Sequence, residues 1–212
     1  RGPGCDQPPE RCEAHHLRTM PVLAYTESGA LHFVAGDELP ARDLFVKPTK
    51  GRGGVGSDWW AYDGDGYRSS AGVQMTRGAL TQHIVELSRS EPYLVAPRLR
   101  CHPDLEDLSN GALSTARIVT LRNERGGFEA TDAVFRMAVG SNTIIDNFHA
   151  GGLAANVAMA TGELSRATDL ALRPDVGWRD VHPSGAMIAG RKLPFWREAI
   201  ELVERAHVAF PD

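Results

Sequence analysis

The sequence predicts an α+β protein with mostly antiparallel sheets, built as two lobes that meet near residue 98. Three observations predict it. Short β-rich runs follow one another at hairpin spacing, with Gly or Asp-Gly punctuation between them. Two segments carry the helical period. The 212 residues are 42% hydrophobic and 24% charged, which suffices for one sizeable core or two small lobes and is too apolar for disorder throughout.

Taken in order, residues 1–19 (RGPGCDQPPERCEAHHLRT) show Gly, Pro and charge without a period, and read as a flexible lead-in. Cys5, Cys12, His15 and His16 lie there, but their spacing matches no common zinc finger, and a solvated leader is expected. PVLAYT and ALHFVA are strands separated by Glu27-Ser28-Gly29. DLFVKP (43–48) is an apolar strand ending in Lys47 and Pro48. DWWAYDGDGYRSS reads as a hairpin turning at Asp63-Gly64-Asp65-Gly66. Leu80, Ile84 and Leu87 at i, i+4, i+7 predict a helix within 76–89. PYLVAP (92–97) closes the first lobe, 20–97.

In the second lobe, 98–212, STARIVTLR (114–122) and EATDAVFRMAVG (129–140) are strands joined at Gly126-Gly127. NTIIDNF (142–148) and LAANVAM read as a third and fourth strand. A final helix is expected with Pro194 in its first turn. Trp196, Ile200 and Val203 would share one face, with Glu201 and Arg205 as an i, i+4 pair.

Composition excludes some classes. Lys plus Arg number 23 against 27 Asp plus Glu, a formal charge of −4, which disfavours general nucleic-acid binding. No apolar run approaches the roughly 18 residues of a membrane span, and no basic-then-apolar leader precedes the first strand. Three sparse cysteines suit a reducing, cytoplasmic compartment better than a disulfide scaffold.

Three signals carry chemistry. The loop KGRGGVGS (50–57) contains Gly51, Gly53 and Gly56 in G-x-G-x-x-G spacing. The residues after Gly56 (SDWWAY) are aromatic and strand-like, and no acid lies at the ribose-binding distance, so a dinucleotide fold is not indicated. No Lys-Ser or Lys-Thr closes a Walker A loop. In protein kinases the loop precedes the lysine; here Lys47 precedes the loop. That order suits another kind of ATP site, in which the lysine meets phosphate and the flap's N–H groups close over the β- and γ-phosphates. An ordinary tight hairpin is the plainer alternative. Next, Arg117 and Arg136 sit in strand interiors beside apolar neighbours, where a guanidinium needs an anion unless its face is solvated. Last, Asp146 and Asn147 in IDNFHAGG (145–152) have groups that ligate Mg²⁺ or orient phosphate, while composition alone favours an Asx-type turn. His102, His149 and His182 have no partner at motif spacing, and Trp59 and Trp60 read as packing residues.

Together, FVKPTKGRGGVGS, YLVAPRLRCHP, LSTARIVTL, FRMAVGSNTIIDNFHAGGLAANVAMATGEL, HPSGAMIAGRKLPFW and EAIELVERAH occur in the order seen in the ATP-grasp superfamily. They most resemble its sugar-transfer-associated branch, related to α-L-glutamate ligases, over roughly residues 40–210. The resemblance implies two α+β lobes gripping ATP, with Mg²⁺. A small-molecule carboxylate becomes an acyl phosphate that an amine or other nucleophile attacks, here in polysaccharide or cell-surface biosynthesis. It implies Lys47 as the ATP lysine, Gly53, Gly54, Val55, Gly56 and Ser57 as the phosphate flap, and Ala96, Pro97, Arg98 and Leu99 as the hinge that reads adenine. Arg117 and Arg136 would hold the γ-phosphate or acyl phosphate. Asn147 would lie beside phosphates and metal, and Asp146 beside the metal.

Departures from the pattern qualify these roles. The hinge lacks the usual acid near Pro97, and Ser114-Thr115 replaces Asn-Thr. The family's metal-binding Asp and its Glu-x-Asn strand normally follow the helix ending near His207. Its pre-grasp region, and usually a second ATP lysine, normally precede the first lobe. The expectation is therefore an ATP-grasp fold truncated at both ends, with an incomplete second lobe. A non-catalytic nucleotide-binding module and an ATP-dependent phosphotransferase are the alternatives.

Overall fold

A computed structural model describes residues 9–51, 53–169 and 177–211. The chain divides into two compact units, one of Thr19–Leu99 and another of Pro9–Arg18 with everything from Arg100 onward. Both units are α+β with antiparallel sheets.

The first unit contains β1 (Ala24–Glu27), β2 (Ala30–Phe33), β3 (Leu44–Pro48), β4 (Asp58–Tyr62), β5 (Gly66–Ser69), β6 (Gln74–Thr76) and β7 (Tyr93–Pro97). They form one sheet in the order β2-β1-β7-β3-β4-β5-β6. Alternation along each strand sorts the side chains. Ala24, Leu44, Val46, Trp60, Tyr67 and Val95 face inward against Leu80 and Ile84 of the helix Arg77–Leu87. That helix begins where the Thr76 hydroxyl accepts from Ala79 N–H at 3.2 Å, a side-chain cap for an otherwise unpaired amide. Burial pushes the Tyr67 phenol up, with Arg77 opposing the shift; its hydroxyl donates to Pro40 O at 2.6 Å.

The second unit has β8 (Thr115–Arg122), β9 (Phe128–Met137), β10 (Leu153–Val157) and β11 (Leu164–Thr168), in the order β11-β10-β9-β8. Its core joins Phe135, Met137, Leu153, Ala155 and Leu164 to Trp196 at the start of the helix Trp196–Ala209. In chain order the helices are α1 (Pro9–Ala14), α2 (Arg77–Leu87) and α3 (Trp196–Ala209).

Four expectations change. First, the segment read as an aperiodic lead-in contains α1, whose Cys12 is buried and whose Arg11 guanidinium lies 5.2 Å from the Phe210 ring centre. Cys5 lies outside the described residues. Second, 142–148 is not a strand. The Asn142 side chain accepts from Ile144 and Ile145 N–H (3.2 and 3.1 Å), and Asn110 donates to Gly140 O and Asn142 O (3.0 and 2.9 Å). Local side-chain bonds thus take groups that a ladder needs.

Third, Pro194 precedes α3 rather than entering it, because Phe195 at the N-cap adopts φ 53°. Fourth, Glu201 pairs backward with Arg197 at 3.1 Å rather than with Arg205.

Candidate nucleotide site

Strand alternation decides what the first unit shows on its outer sheet face. Lys47 falls out of phase with Leu44, Val46 and Pro48, so it is exposed while they are buried. It has no partner among the described residues. Register sets Lys47 opposite Leu94, and Phe45 opposite both Ala96 and Trp59. The lysine therefore stands beside an apolar strip of Phe45, Trp59, Leu94 and Ala96. The two tryptophans part company here. Trp60 is core, whereas Trp59 lies on the outer face with the Arg98 guanidinium 3.7 Å from its ring centre, a cation–π stack. Phe45, Leu94 and Trp59 have no motif to mark them; only the phase of each strand reveals the strip.

The glycine loop leaves β3 directly after Lys47 and returns at β4. Gly53, Gly54 and Gly56 have φ of 67°, 78° and 77°, and Ser57 N–H closes a turn on Gly54 O at 3.1 Å. At Gly56 a Cβ would come within 2.8 Å of Tyr93 Oη, so both conformation and space require glycine. Val55 at the tip is 77% exposed. In the segment 96–99, the Arg98 amide donates to Asp43 O at 2.9 Å.

In the second unit, Arg117 opposes Val134 and Arg136 opposes Thr115. Opposed residues share a face, so both arginines lie on the outer side of the sheet as diagonal neighbours, about 7–8 Å apart at Cα. Their environments differ. Arg117 is exposed and has no partner among the described residues. Arg136 belongs to a closed hydrogen-bond circuit. Its Nη2 donates to Thr115 Oγ1 (2.9 Å) and to Asp146 Oδ1 (3.1 Å), and the Thr115 hydroxyl donates to Asp146 Oδ2. Asp146 is only 6% exposed. Asn147 caps a 3-10 turn (Phe148–Ala150), its side chain accepting from His149 N–H at 3.2 Å.

Gly152 returns the chain to β10. A Cβ there would lie 2.9–3.1 Å from the carbonyl oxygens of Met137, Asp146 and Asn147. Only a glycine lets the backbone pass this close.

His182 of HPSG is buried and holds structure together. Its Nε2 lies 3.0 Å from Ala138 O, so that nitrogen carries the hydrogen, while Nδ1 accepts from Ser184 N–H at 3.2 Å. The Ser184 hydroxyl donates to Asp107 O at 2.7 Å. Arg191 grips the Asp107 carboxylate at 3.0 and 2.8 Å and holds its pKa below the ordinary value.

Residues 32–212 match the sugar-transfer associated ATP-grasp family. The chain belongs to that family, and is an ATP-grasp type nucleotide-binding protein. No curated protein and no solved structure shows significant similarity to it. No described helix is long and apolar enough to cross a membrane.

The family generally binds ATP with Mg²⁺. In the first unit, a lysine without a partner among the described residues and a glycine turn are groups of the kind that bind phosphate; in the second unit, two outward arginines are too. The same residues do not by themselves fit Mg²⁺. Both oxygens of Asp146 are engaged by protein donors, Asn147 is a turn cap, and no three His, Cys, Asp or Glu side chains gather among the described residues.

Proposed function

We propose that this chain is an ATP-dependent ligase of the ATP-grasp type that activates a carboxylate as an acyl phosphate for attack by an amine or another nucleophile. The observation that carries the reading is the pair of arginines, Arg117 and Arg136, set diagonally on one sheet face. Lys47 receives phosphate oxygens. The amides of Gly53, Gly54, Val55, Gly56 and Ser57 close over the β- and γ-phosphates, where oriented N–H groups favour anions. The apolar strip at Phe45 and Ala96 takes the flat base, with Pro97 and Leu99 supplying backbone groups because the Arg98 amide is already bonded to Asp43.

In the second unit, Arg117 and Arg136 have the charge to neutralise a transferring phosphoryl group, and Asn147 has the amide groups to orient one. Catalysis of this kind is positioning and charge neutralisation, not covalent chemistry by the protein. The reaction is placed in the cytoplasm, and its acceptor in polysaccharide or cell-surface biosynthesis.

A second reading is nucleotide binding without turnover. It is favoured by the commitment of Asp146 to Arg136, which engages the one acid that the sequence suggested for the site. A third, phosphotransfer to an acceptor, uses the same ATP-binding residues.

Incubating the chain with ATP, Mg²⁺, a panel of carboxylates and hydroxylamine separates the three. Ligase chemistry yields an acyl hydroxamate with stoichiometric ADP. A phosphorylated acceptor without hydroxamate indicates phosphotransfer, and ATP binding without ADP release indicates the binding module.

A further inference from the structure

We propose that Asp146 and Thr115 are positioning residues that hold Arg136 in place, and that the Asp146 carboxylate is not a metal ligand. The inference rests on the ATP reading and deepens it.

The circuit uses its groups completely on one side and not on the other. Both hydrogens of Arg136 Nη2, both oxygens of Asp146, and the Thr115 hydroxyl as donor and acceptor are engaged. Nη1 has no partner among the described residues, and Nε is buried without one. An unpaired buried N–H is costly, so self-satisfaction alone does not account for this placement of the guanidinium. The carboxylate end of the circuit is fixed by backbone. Asn110 bridges two carbonyls of the preceding loop, and the carbonyls of Met137, Asp146 and Asn147 converge on Gly152. Asp146 is therefore a rigid post. Register then ties Arg136 to a set distance from the exposed Arg117.

The charge arithmetic points the same way. A buried carboxylate neutralises Arg136 and repels phosphate, so as a pure counter-charge it would weaken the anion site. Its benefit lies in orientation. A guanidinium held at one nitrogen keeps its other donors aimed and loses less freedom when an oxyanion arrives.

This makes the sign of the test informative. The wild-type chain, Asp146→Asn, Thr115→Val and Thr115→Ser are titrated with ATP by calorimetry, once with Mg²⁺ and once in EDTA. Positioning predicts that Asp146→Asn and Thr115→Val weaken binding roughly tenfold in both media, despite the charge gained in the first, while Thr115→Ser stays near wild type. Unchanged or tighter binding by Asp146→Asn overturns the proposal in favour of a counter-charge. A loss confined to Mg²⁺ overturns it in favour of a metal ligand.

A second readout needs no nucleotide. In nitrogen-15 NMR the Arg136 Nη1 and Nη2 signals should be distinct in the wild type and averaged in Asp146→Asn and Thr115→Val. Signals that do not change overturn the positioning role. If the wild type binds no ATP while the NMR behaves as stated, positioning stands and the ATP reading falls.

Discussion

The two sheets present opposite chemistries on their outer faces. The first unit shows an apolar strip with an exposed lysine, unpartnered among the described residues, at its side. The second shows two arginines, one open to solvent and one locked to a buried carboxylate. Under the proposed function, the first face would take a flat heterocycle and the second a polyanion. The contrast within the second face teaches more. An exposed cation on a strand needs no support, because its charge stays hydrated. A cation whose side chain is only 22% exposed must be paired, and pairing also fixes its direction.

The sharpest way to break this comparison is to remove each cation in turn. Arg136→Ala leaves Asp146 buried without its partner and should destabilise the fold by about 2–4 kcal/mol in urea titrations. Arg117→Ala should stay within about 0.5 kcal/mol. Both should weaken ATP binding. Equal stability losses would show that the circuit does not anchor Asp146.

Gly152→Ala attacks the same post from the backbone. Its Cβ meets three carbonyl oxygens rather than flexible side chains, so a loss of about 1–3 kcal/mol is expected. Thermal unfolding measures it, and a neutral result would mean that the chain can shift aside there.

On the first face, Lys47→Met should leave unfolding unchanged within about 0.5 kcal/mol while lowering ATP affinity about tenfold, since the exposed ammonium has no hydrogen-bond or ion-pair partner among the described residues. Stability lost alongside affinity would place Lys47 in the fold instead of the site.

The smallest effect concerns pH. The Arg191 hydrogen bond holds the Asp107 carboxyl below its usual range. A depressed acid contributes stability that is present above its unfolded value, about 4. That contribution is lost as pH falls through the lower folded value. Asp107 is half exposed, so it is worth about 1 kcal/mol or less. The gap in urea midpoint between wild type and Asp107→Asn should be visible at pH 6 and shrink steadily below pH 4.

The contrast between the two units also bears on how much was legible in the sequence. The first unit's strands and hairpins follow from alternation and Asp-Gly punctuation, and the exposure of Lys47 follows from its phase in β3. Two segments defeat that logic. In 142–148, Ile144 and Ile145 suggest a strand, but Asn142 and Asn110 take the backbone into a wrapped loop. α1 is too short for a hydrophobic period, yet Cys12 is buried. Within the site, residue type suggests Arg136 and Asp146 separately, one for phosphate and one for metal. The irregular chain between them conceals that they bind each other. His182 likewise has no motif partner in sequence, because Ala138 O meets its ring through the fold and its neighbour Ser184 reaches Asp107 O.

The central proposal is that the exposed strand cations, Lys47 in the first unit and Arg117 in the second, each contribute to nucleotide binding. Calorimetric titration of ATP into the full chain, beside Lys47→Met and Arg117→Ala, tests it most directly. The account predicts measurable ATP binding that both substitutions weaken about tenfold without loss of stability. Binding of equal strength in all three proteins would contradict it.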